Sequence, residues 1–254
     1  MQLNYIKLGE GQPLLILHGL FGMLDNWITL GKRYAEHFEV YLIDQRNHGK
    51  SGHCEEFTFA DMADDLMQFI DDHHLRGAIM LGHSMGGKTL IEFAHDHAYF
   101  IDKMVIADIG PKKAYVKGHL QLINAMDQLD LKNLKSRKEA EEALKYPIPN
   151  LAIRQFLLKN LHWKEKDKLA WKFNLNAIKN NFDEVLTGMS DYKISVSTLF
   201  LKGGNSDYIL PEDEGMILTQ FPNSQIISIP NAGHWLHAEQ PDEFFRITMD
   251  FFTK

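Results

Sequence analysis

The sequence contains a single cysteine, no long apolar run and no excess of basic residues. Cys54 cannot form an intramolecular disulfide, which is typical of proteins that fold in a reducing compartment. No stretch approaches the roughly 18 apolar residues of a membrane helix, and the N-terminal segment lacks the apolar core of a signal peptide. The net charge of −7 provides no general attraction for nucleic acid. We therefore expect a cytoplasmic protein that neither inserts into a membrane nor binds nucleic acid.

Six short apolar runs, each bounded by Gly, Asp or Pro, are typical of buried parallel strands. They are residues 13–19, 39–45, 77–82, 103–110, 197–203 and 224–230. Between the first four runs lie segments with helical spacing, among them residues 59–74 and 85–98. This alternation of strand and helix predicts an α/β fold with a mostly parallel, doubly wound sheet and right-handed crossovers.

The alternation stops after Gly110, and residues 111–190 are predicted to be helical throughout. We therefore expect an α/β core formed by residues 1–110 and 191–254, with an inserted all-helical cap, or lid, at 111–190. Such an insert follows the C-terminal end of a strand, where it can cover the crevice in which these sheets bind ligands. The cap has thirteen lysines and two arginines against nine acidic residues, a net charge of +6. This charge is either a solvated helical surface or a weak attraction for anionic substrates.

The segment GHSMG at 82–86 has the pattern G-x-S-x-G and lies where a predicted strand meets a predicted helix. This arrangement is typical of a nucleophile elbow, in which a serine occupies a strained turn and its neighbours must be small. The N-terminus of the helix places free N–H groups and a partial positive charge beside Ser84. Ser84 is therefore the candidate nucleophile.

An oxyanion hole needs two such N–H donors. One is expected from Met85, the residue after the nucleophile. The other is expected from the loop HGLFG at 18–22, where Leu20 is the first candidate and Phe21 the alternative.

A serine hydroxyl needs a general base, and the positions of the thirteen histidines favour His234. It lies in a turn-rich loop after the last predicted strand, which places it at the same sheet edge as the elbow. His18 and His83 flank the motifs and are more typical of packing or hydrogen-bonding residues. The chain has neither a cysteine cluster nor an HExxH motif, so we expect no metal site.

Four segments in this order resemble the α/β-hydrolase superfamily. They are HGLFG, DQRNHGKSG (44–52), GHSMGGK (82–88) and NAGHWLHAEQP (231–241). More narrowly, GHSMGGK, ADIGP, FLLKNL, WKFNL and GGNS resemble the YbfF-like esterases, relatives of the abhydrolase-domain 11 proteins. The resemblance implies a serine esterase or thioesterase that acts on acyl esters without a cofactor and carries a helical cap over its site.

The acid of the triad has two candidates. In most α/β-hydrolases it follows the strand that corresponds to residues 197–203, but here the expected position is Ser206 and Asp207 lies one residue later. The narrower resemblance implies an acid after the preceding strand, in a D-I-x-P segment that Asp108 matches. We therefore predict a triad of Ser84, His234 and Asp108. Asp207 is the alternative acid, and Ser206 is expected to hydrogen-bond to Asp108 or His234.

Other functions use the same fold. A C–C bond hydrolase or a transacylase would use the same triad, and a small-molecule receptor or scaffold would lack catalysis. The segment with Arg46, His48 and Ser51 is interpreted as a brace for the loop after the second predicted strand. The sequence does not indicate the acyl chain length, the leaving group (alcohol or coenzyme A) or the oligomeric state. It also does not indicate which apolar cap residues line the pocket.

Overall fold

The computed structural model describes residues 1–113, 118–166 and 168–254. Its strands are β1 (Tyr5–Leu8), β2 (Pro13–Leu17), β3 (Glu39–Ile43), β4 (Ala78–His83), β5 (Ile101–Ala107), β6 (Leu161–Glu165), β7 (Lys168–Trp171), β8 (Ser197–Gly203) and β9 (Ser224–Ile229). Seven of them form one sheet in the order β1-β3-β2-β4-β5-β8-β9, while β6 and β7 pair with each other. Strand β1 is antiparallel to β3, and the other pairings in the large sheet are parallel. The predicted mostly parallel α/β fold is confirmed.

The α-helices comprise those that flank this sheet and those of the segment between β5 and β8. They are α1 (Ile28–Tyr34), α2 (Phe59–Asp72), α3 (Met85–His97), α4 (His119–Asp127), α5 (Arg137–Leu144), α6 (Leu151–Leu158), α7 (Leu175–Asn180), α8 (Phe182–Leu186), α9 (Glu214–Gln220), α10 (Leu236–Glu239) and α11 (Pro241–Thr253). Alternate residues of β2 point to opposite faces, so that Leu15 and Leu17 pack with α2 and α3 while Leu14 and Ile16 pack with α1 and α11. Within the described ranges, none of the helices has the length and apolar character needed to cross a bilayer.

The structure corrects the prediction of an all-helical insert. Helices α4 to α8 do lie between β5 and β8, but β6 (Leu161–Glu165) and β7 (Lys168–Trp171) lie among them and pair as an antiparallel hairpin. Apolar residues alternate along both strands, with Leu161 opposite Trp171 and Trp163 opposite Leu169. This period of two is the signature of a strand with one buried face, and it overrides the helical interpretation of the flanking segments. Residues 114–117 and 167 of the predicted cap lie outside the described residues.

Strand β1 was also absent from the sequence-based prediction. Its four residues are alternately exposed and half-buried, because β1 lies at the edge of the sheet. A strand of four alternating residues lacks the continuous apolar run by which the other six strands of the sheet were found.

A buried ion pair joins α2 to the loop after β3. Arg46 donates from Nε to Asp65 Oδ2 at 2.6 Å and from a terminal nitrogen to Asp65 Oδ1 at 3.0 Å. Both side chains are buried, and the amino group of Met1 also donates to Asp65. This bidentate contact holds the loop against the helix.

We predict that Arg46→Ala lowers the free energy of unfolding by about 3 kcal/mol, because it leaves a buried carboxylate without its main partner. Urea denaturation measures the change. Arg246→Ala is the matched control, since Arg246 pairs with Glu243 in an exposed contact whose loss should cost less than about 1 kcal/mol. Equal effects of the two substitutions would contradict the assignment of Asp65 as a buried ion.

Candidate active site

Ser84 occupies the turn between β4 and α3 with backbone angles φ 51° and ψ −115°. Residues with a side chain rarely adopt this conformation. The neighbouring glycines explain why the turn is so tight: a Cβ on Gly82 would lie 2.4 Å from the carbonyl oxygen of Gly86, and a Cβ on Gly86 would lie 2.5 Å from that of Leu17. This close approach of β2, β4 and α3 places the Ser84 side chain in the wall of a cavity, at the N-terminus of α3.

Asp108 and His234 contact each other at the same edge of the sheet. Asp108 directly follows β5, and its Oδ2 accepts a hydrogen bond from Nδ1 of His234 at 2.8 Å. The other carboxylate oxygen accepts from the backbone N–H of Gly203 at 2.9 Å, and the hydroxyl of Ser206 donates to Oδ2. Asp108 is fully buried, whereas the side chain of His234 is 15% exposed towards the cavity. The structure therefore brings both predicted residues together with Ser206.

The alternative acid, Asp207, has a different environment. Its side chain is exposed and borders the cavity, and within the described ranges no hydrogen bond joins it to His234. The next residue, Tyr208, stacks on the His234 ring with a centroid distance of 3.7 Å. Sequence reasoning missed Tyr208, because nothing in the motif indicates that a residue beyond the acid position covers the imidazole.

The charge states of the pair follow from their burial. Burial lowers the pKa of His234 to about 3, an effect that the nearby charge of Asp207 opposes. Burial raises the pKa of Asp108 to about 6, although hydrogen bonds from Ser206 and Gly203 act in the opposite direction. At neutral pH the pair is therefore a neutral imidazole and a carboxylate. Because a carboxylate only accepts hydrogen bonds, Nδ1 of His234 carries the proton and Nε2 is left as an acceptor.

The two N–H groups expected for an oxyanion hole, those of Leu20 and Met85, differ from the N–H of Phe21 in whether they already donate a hydrogen bond. The Phe21 N–H donates to Nε2 of His48 at 3.2 Å. In the part of the chain that the structure describes, the N–H groups of Leu20 and Met85 have no acceptor, and Met85 is the first residue of α3. The geometry therefore favours Leu20 over Phe21 as the partner of Met85.

The segment after β3, predicted to brace its own loop, also contacts the loop that carries Leu20. His48 accepts from the N–H of Phe21 through Nε2, and its Nδ1 lies 2.9 Å from the carbonyl oxygen of Arg46. Ser51 donates to the carbonyl oxygen of Asp44. From the segment between β5 and β8, the Asn160 amide donates to the carbonyl oxygen of Phe21 at 2.8 Å. The loop that carries Leu20 is therefore held from two sides.

His18 and His83 make the structural contacts expected of them. His18 Nε2 accepts from the N–H of Gln45 at 3.0 Å. His83 Nε2 lies 2.8 Å from the carbonyl oxygen of His234, so it donates there and fixes the backbone of that loop. No cluster of metal-ligating side chains occurs among the described residues.

Ser84 borders two cavities. The larger has a volume of about 320 Å³ and the smaller a volume of about 20 Å³. Apolar residues of the insert, among them Leu122, Phe156 and Leu157, line the larger cavity. Met126, Trp171 and Phe173 instead pack in an apolar cluster that the insert shares with Phe21 and Met85, and Trp163 is 48% exposed.

This combination of sheet, elbow and histidine loop defines an α/β hydrolase. Residues 12–241 match the family model described as the alpha/beta hydrolase fold, and the chain belongs to that family. Among its relatives is the sn-1-specific diacylglycerol lipase ABHD11 of Danio rerio, which is 34% identical over 253 residues that cover 96% of this chain and 79% of the relative. Esterase YbfF of Escherichia coli is 31% identical over 237 residues, which cover 93% of this chain and 91% of the relative.

A solved structure described as a marine microorganism esterase is also similar. It superposes with a TM-score of 0.96 at 42% sequence identity and covers 98% of this chain and 99% of its own.

The buried histidines predict that the stability of the folded protein decreases as the pH is lowered. Burial lowers the pKa values of seven histidines, and the expectation rests on five of them: His18, His48, His83, His234 and His237. The unfolded chain binds protons below about pH 6.5 and the folded chain does not, so each such histidine removes about 1.4 kcal/mol of stability per pH unit below that value. The raised pKa of Asp108 acts oppositely but is one group against five. The melting temperature should therefore fall steadily from pH 7 to pH 5.

Differential scanning fluorimetry across this range is the measurement. His48→Gln removes one titrating group and should make the decline shallower. A melting temperature that stays constant between pH 7 and pH 5 would contradict the burial of these histidines as neutral groups.

Proposed function

We propose that Ser84, His234 and Asp108 form a catalytic triad with which the protein cleaves carboxylic acyl esters through an acyl-enzyme. The protein is an enzyme, a carboxylic ester hydrolase, since relatives named esterase or lipase match nearly the whole chain. The observation that carries the triad is the 2.8 Å contact between His234 and the buried Asp108, beside a serine in a strained elbow.

The proposed reaction follows from the charge states of these groups. Nε2 of the neutral His234 takes the proton of Ser84 as its oxygen attacks the acyl carbonyl. The N–H groups of Leu20 and Met85 stabilise the oxyanion that develops. His234 then protonates the leaving group, and Asp108 holds the imidazole in the required tautomer. A water molecule activated by His234 hydrolyses the acyl-enzyme.

Residues 111–190 are proposed to form a cap over this site, and no cofactor enters the reaction. Thioesters of anionic carriers such as coenzyme A are a second candidate class of substrate, since the cap carries a net charge of +6. The single cysteine supports a reducing, cytoplasmic location. A C–C bond hydrolase, a transacylase and a silent receptor are the alternatives, and the variants below separate the receptor from the enzymes.

We predict that Ser84→Ala abolishes hydrolysis of p-nitrophenyl acetate and that Asp108→Asn lowers kcat by about 10³-fold or more, because the amide no longer selects the productive tautomer. Asp207→Asn is the matched control and should stay near wild type, since its carboxylate makes no hydrogen bond to His234 in the described structure. Steady-state kinetics of the three variants provides the test. A large loss in Asp207→Asn with an active Asp108→Asn would reverse the assignment, and an inactive wild type that also fails to react with a fluorophosphonate would favour the receptor.

The pH dependence of kcat/KM tests the carboxylate itself. The raised pKa of Asp108, about 6, means that the pair gains a proton below that pH and loses its carboxylate–imidazole state. We therefore expect kcat/KM to fall below about pH 6. Ser206→Ala removes a hydrogen bond that lowers this pKa, so its acidic limb should move to higher pH. A limb that does not move would mean that Ser206 has no influence on the charge of Asp108.

A further inference from the structure

We propose that this enzyme is selective for esters in which a short acyl group, about two or three carbons long, is joined to a bulky apolar leaving group. The inference rests on the proposed triad, because it assigns the two arms of the ester from the positions of His234 and Met85. It is carried by the two unequal cavities that meet at the nucleophile.

The two cavities share only the neighbourhood of the reacting atoms. Among the described residues, those that border both cavities are Leu20, Ser84, His119 and Tyr208. An ester bound at Ser84 has two arms that leave the carbonyl carbon in different directions. Each cavity can therefore take one arm, and the volumes of about 320 Å³ and 20 Å³ allow only one of them to be large.

The position of His234 assigns the leaving group to the larger cavity. His234 borders the larger cavity and not the smaller one. It must lie within hydrogen-bond reach of the leaving-group oxygen in order to protonate it. The alcohol therefore extends into the larger cavity, whose apolar wall includes Ile153, Phe156 and Trp235.

The acyl chain leaves the same carbon on the side away from His234. The smaller cavity lies on that side, since it is bordered by Met85, the proposed oxyanion donor that does not border the larger cavity. A cavity needs about 10–15 Å³ to hold one water-sized group, so 20 Å³ holds about one or two carbon atoms beyond the carbonyl.

One wall of the smaller cavity is formed by a contact between α3 and the residues around α8. Lys88 borders it and is 1% exposed, and its Nζ donates to the carbonyl oxygen of Thr187, just after α8. Phe182, Val185 and Leu186 of α8 form the apolar part of the wall. A longer acyl chain would have to displace this contact between α3 and the cap.

Octyl acetate and ethyl octanoate test the assignment because they are isomers with the long arm on opposite sides of the ester. We expect wild-type kcat/KM to be higher for octyl acetate by about 30-fold or more, since each methylene that does not fit costs binding. Both substrates are used below their aggregation concentrations, with acid release followed by pH-stat titration. This comparison needs no variant and does not depend on the folding of one.

A matched pair of variants then tests each cavity. Leu186→Ala enlarges the smaller cavity and should raise kcat/KM for ethyl octanoate, reducing the preference by about fivefold or more. Ile153 lines the larger cavity, so Ile153→Ala should lower kcat/KM for octyl acetate and leave kcat/KM for ethyl octanoate unchanged. Thermal melts establish that both variants are folded.

Equal rates for the two isomers, or a preference for ethyl octanoate, would overturn the proposed specificity while leaving the esterase intact. A wild type that hydrolyses neither isomer nor p-nitrophenyl acetate would instead overturn the proposed function, and with it the specificity that rests on it.

Discussion

The close approach of three backbone segments at Ser84 is the constraint on which the site depends. Gly82 and Gly86 leave no room for a Cβ between β2, β4 and α3. The strained turn that results costs of order 1–3 kcal/mol, which the packing of the surrounding sheet offsets. In return, one turn holds the serine side chain at the cavity wall and the free N–H of Met85 beside it. The loop after β2 lies against the same turn, so the second N–H donor is positioned by the same contacts.

The parallel sheet explains how Asp108, the proposed acid, reaches His234 from the strand next to the one that usually carries the acid. Strands β4, β5 and β8 are neighbours and end at the same edge, so Asp108 after β5 lies between the Ser84 turn and the backbone of Gly203. The loop after β8 contributes a hydroxyl and an aromatic ring to this arrangement instead of a carboxylate. Ser206 donates to Asp108 and Tyr208 stacks on His234, while the side chain of Asp207 between them is exposed.

Much of this arrangement was predictable from the sequence, because apolar strands and the serine turn leave local signals. Continuous apolar runs located six strands, and the G-x-S-x-G pattern located Ser84. Asp108 was found through the family resemblance, since its ordinary loop context carries no signal of its own. The edge strand β1 and the hairpin β6–β7 were missed because each is short and only half-buried. His119 and Asn160 reach the site from the cap, and which cap residues do so depends on packing that one sequence does not encode locally.

The division of the site into two cavities is the feature that the sequence indicates least. It arises where Leu20 and Tyr208 of the core meet His119 of the insert, three residues that no motif connects. Lys88, which borders the smaller cavity, does belong to a motif, the GHSMGGK segment. Its contact with Thr187 nevertheless arises only in the folded chain. The sequence motif therefore specifies the chemistry, and the packing of the insert specifies the space around it.

A crystal structure of the protein after reaction with an alkyl fluorophosphonate would test the central claim most directly. We expect phosphorus bonded to Oγ of Ser84, with its oxygen about 2.7–3.1 Å from the backbone nitrogens of Leu20 and Met85. We also expect His234 to keep its hydrogen bond to Asp108. An adduct on another residue, an oxygen bound by the N–H of Phe21, or a His234 ring that pairs with Asp207 would contradict it.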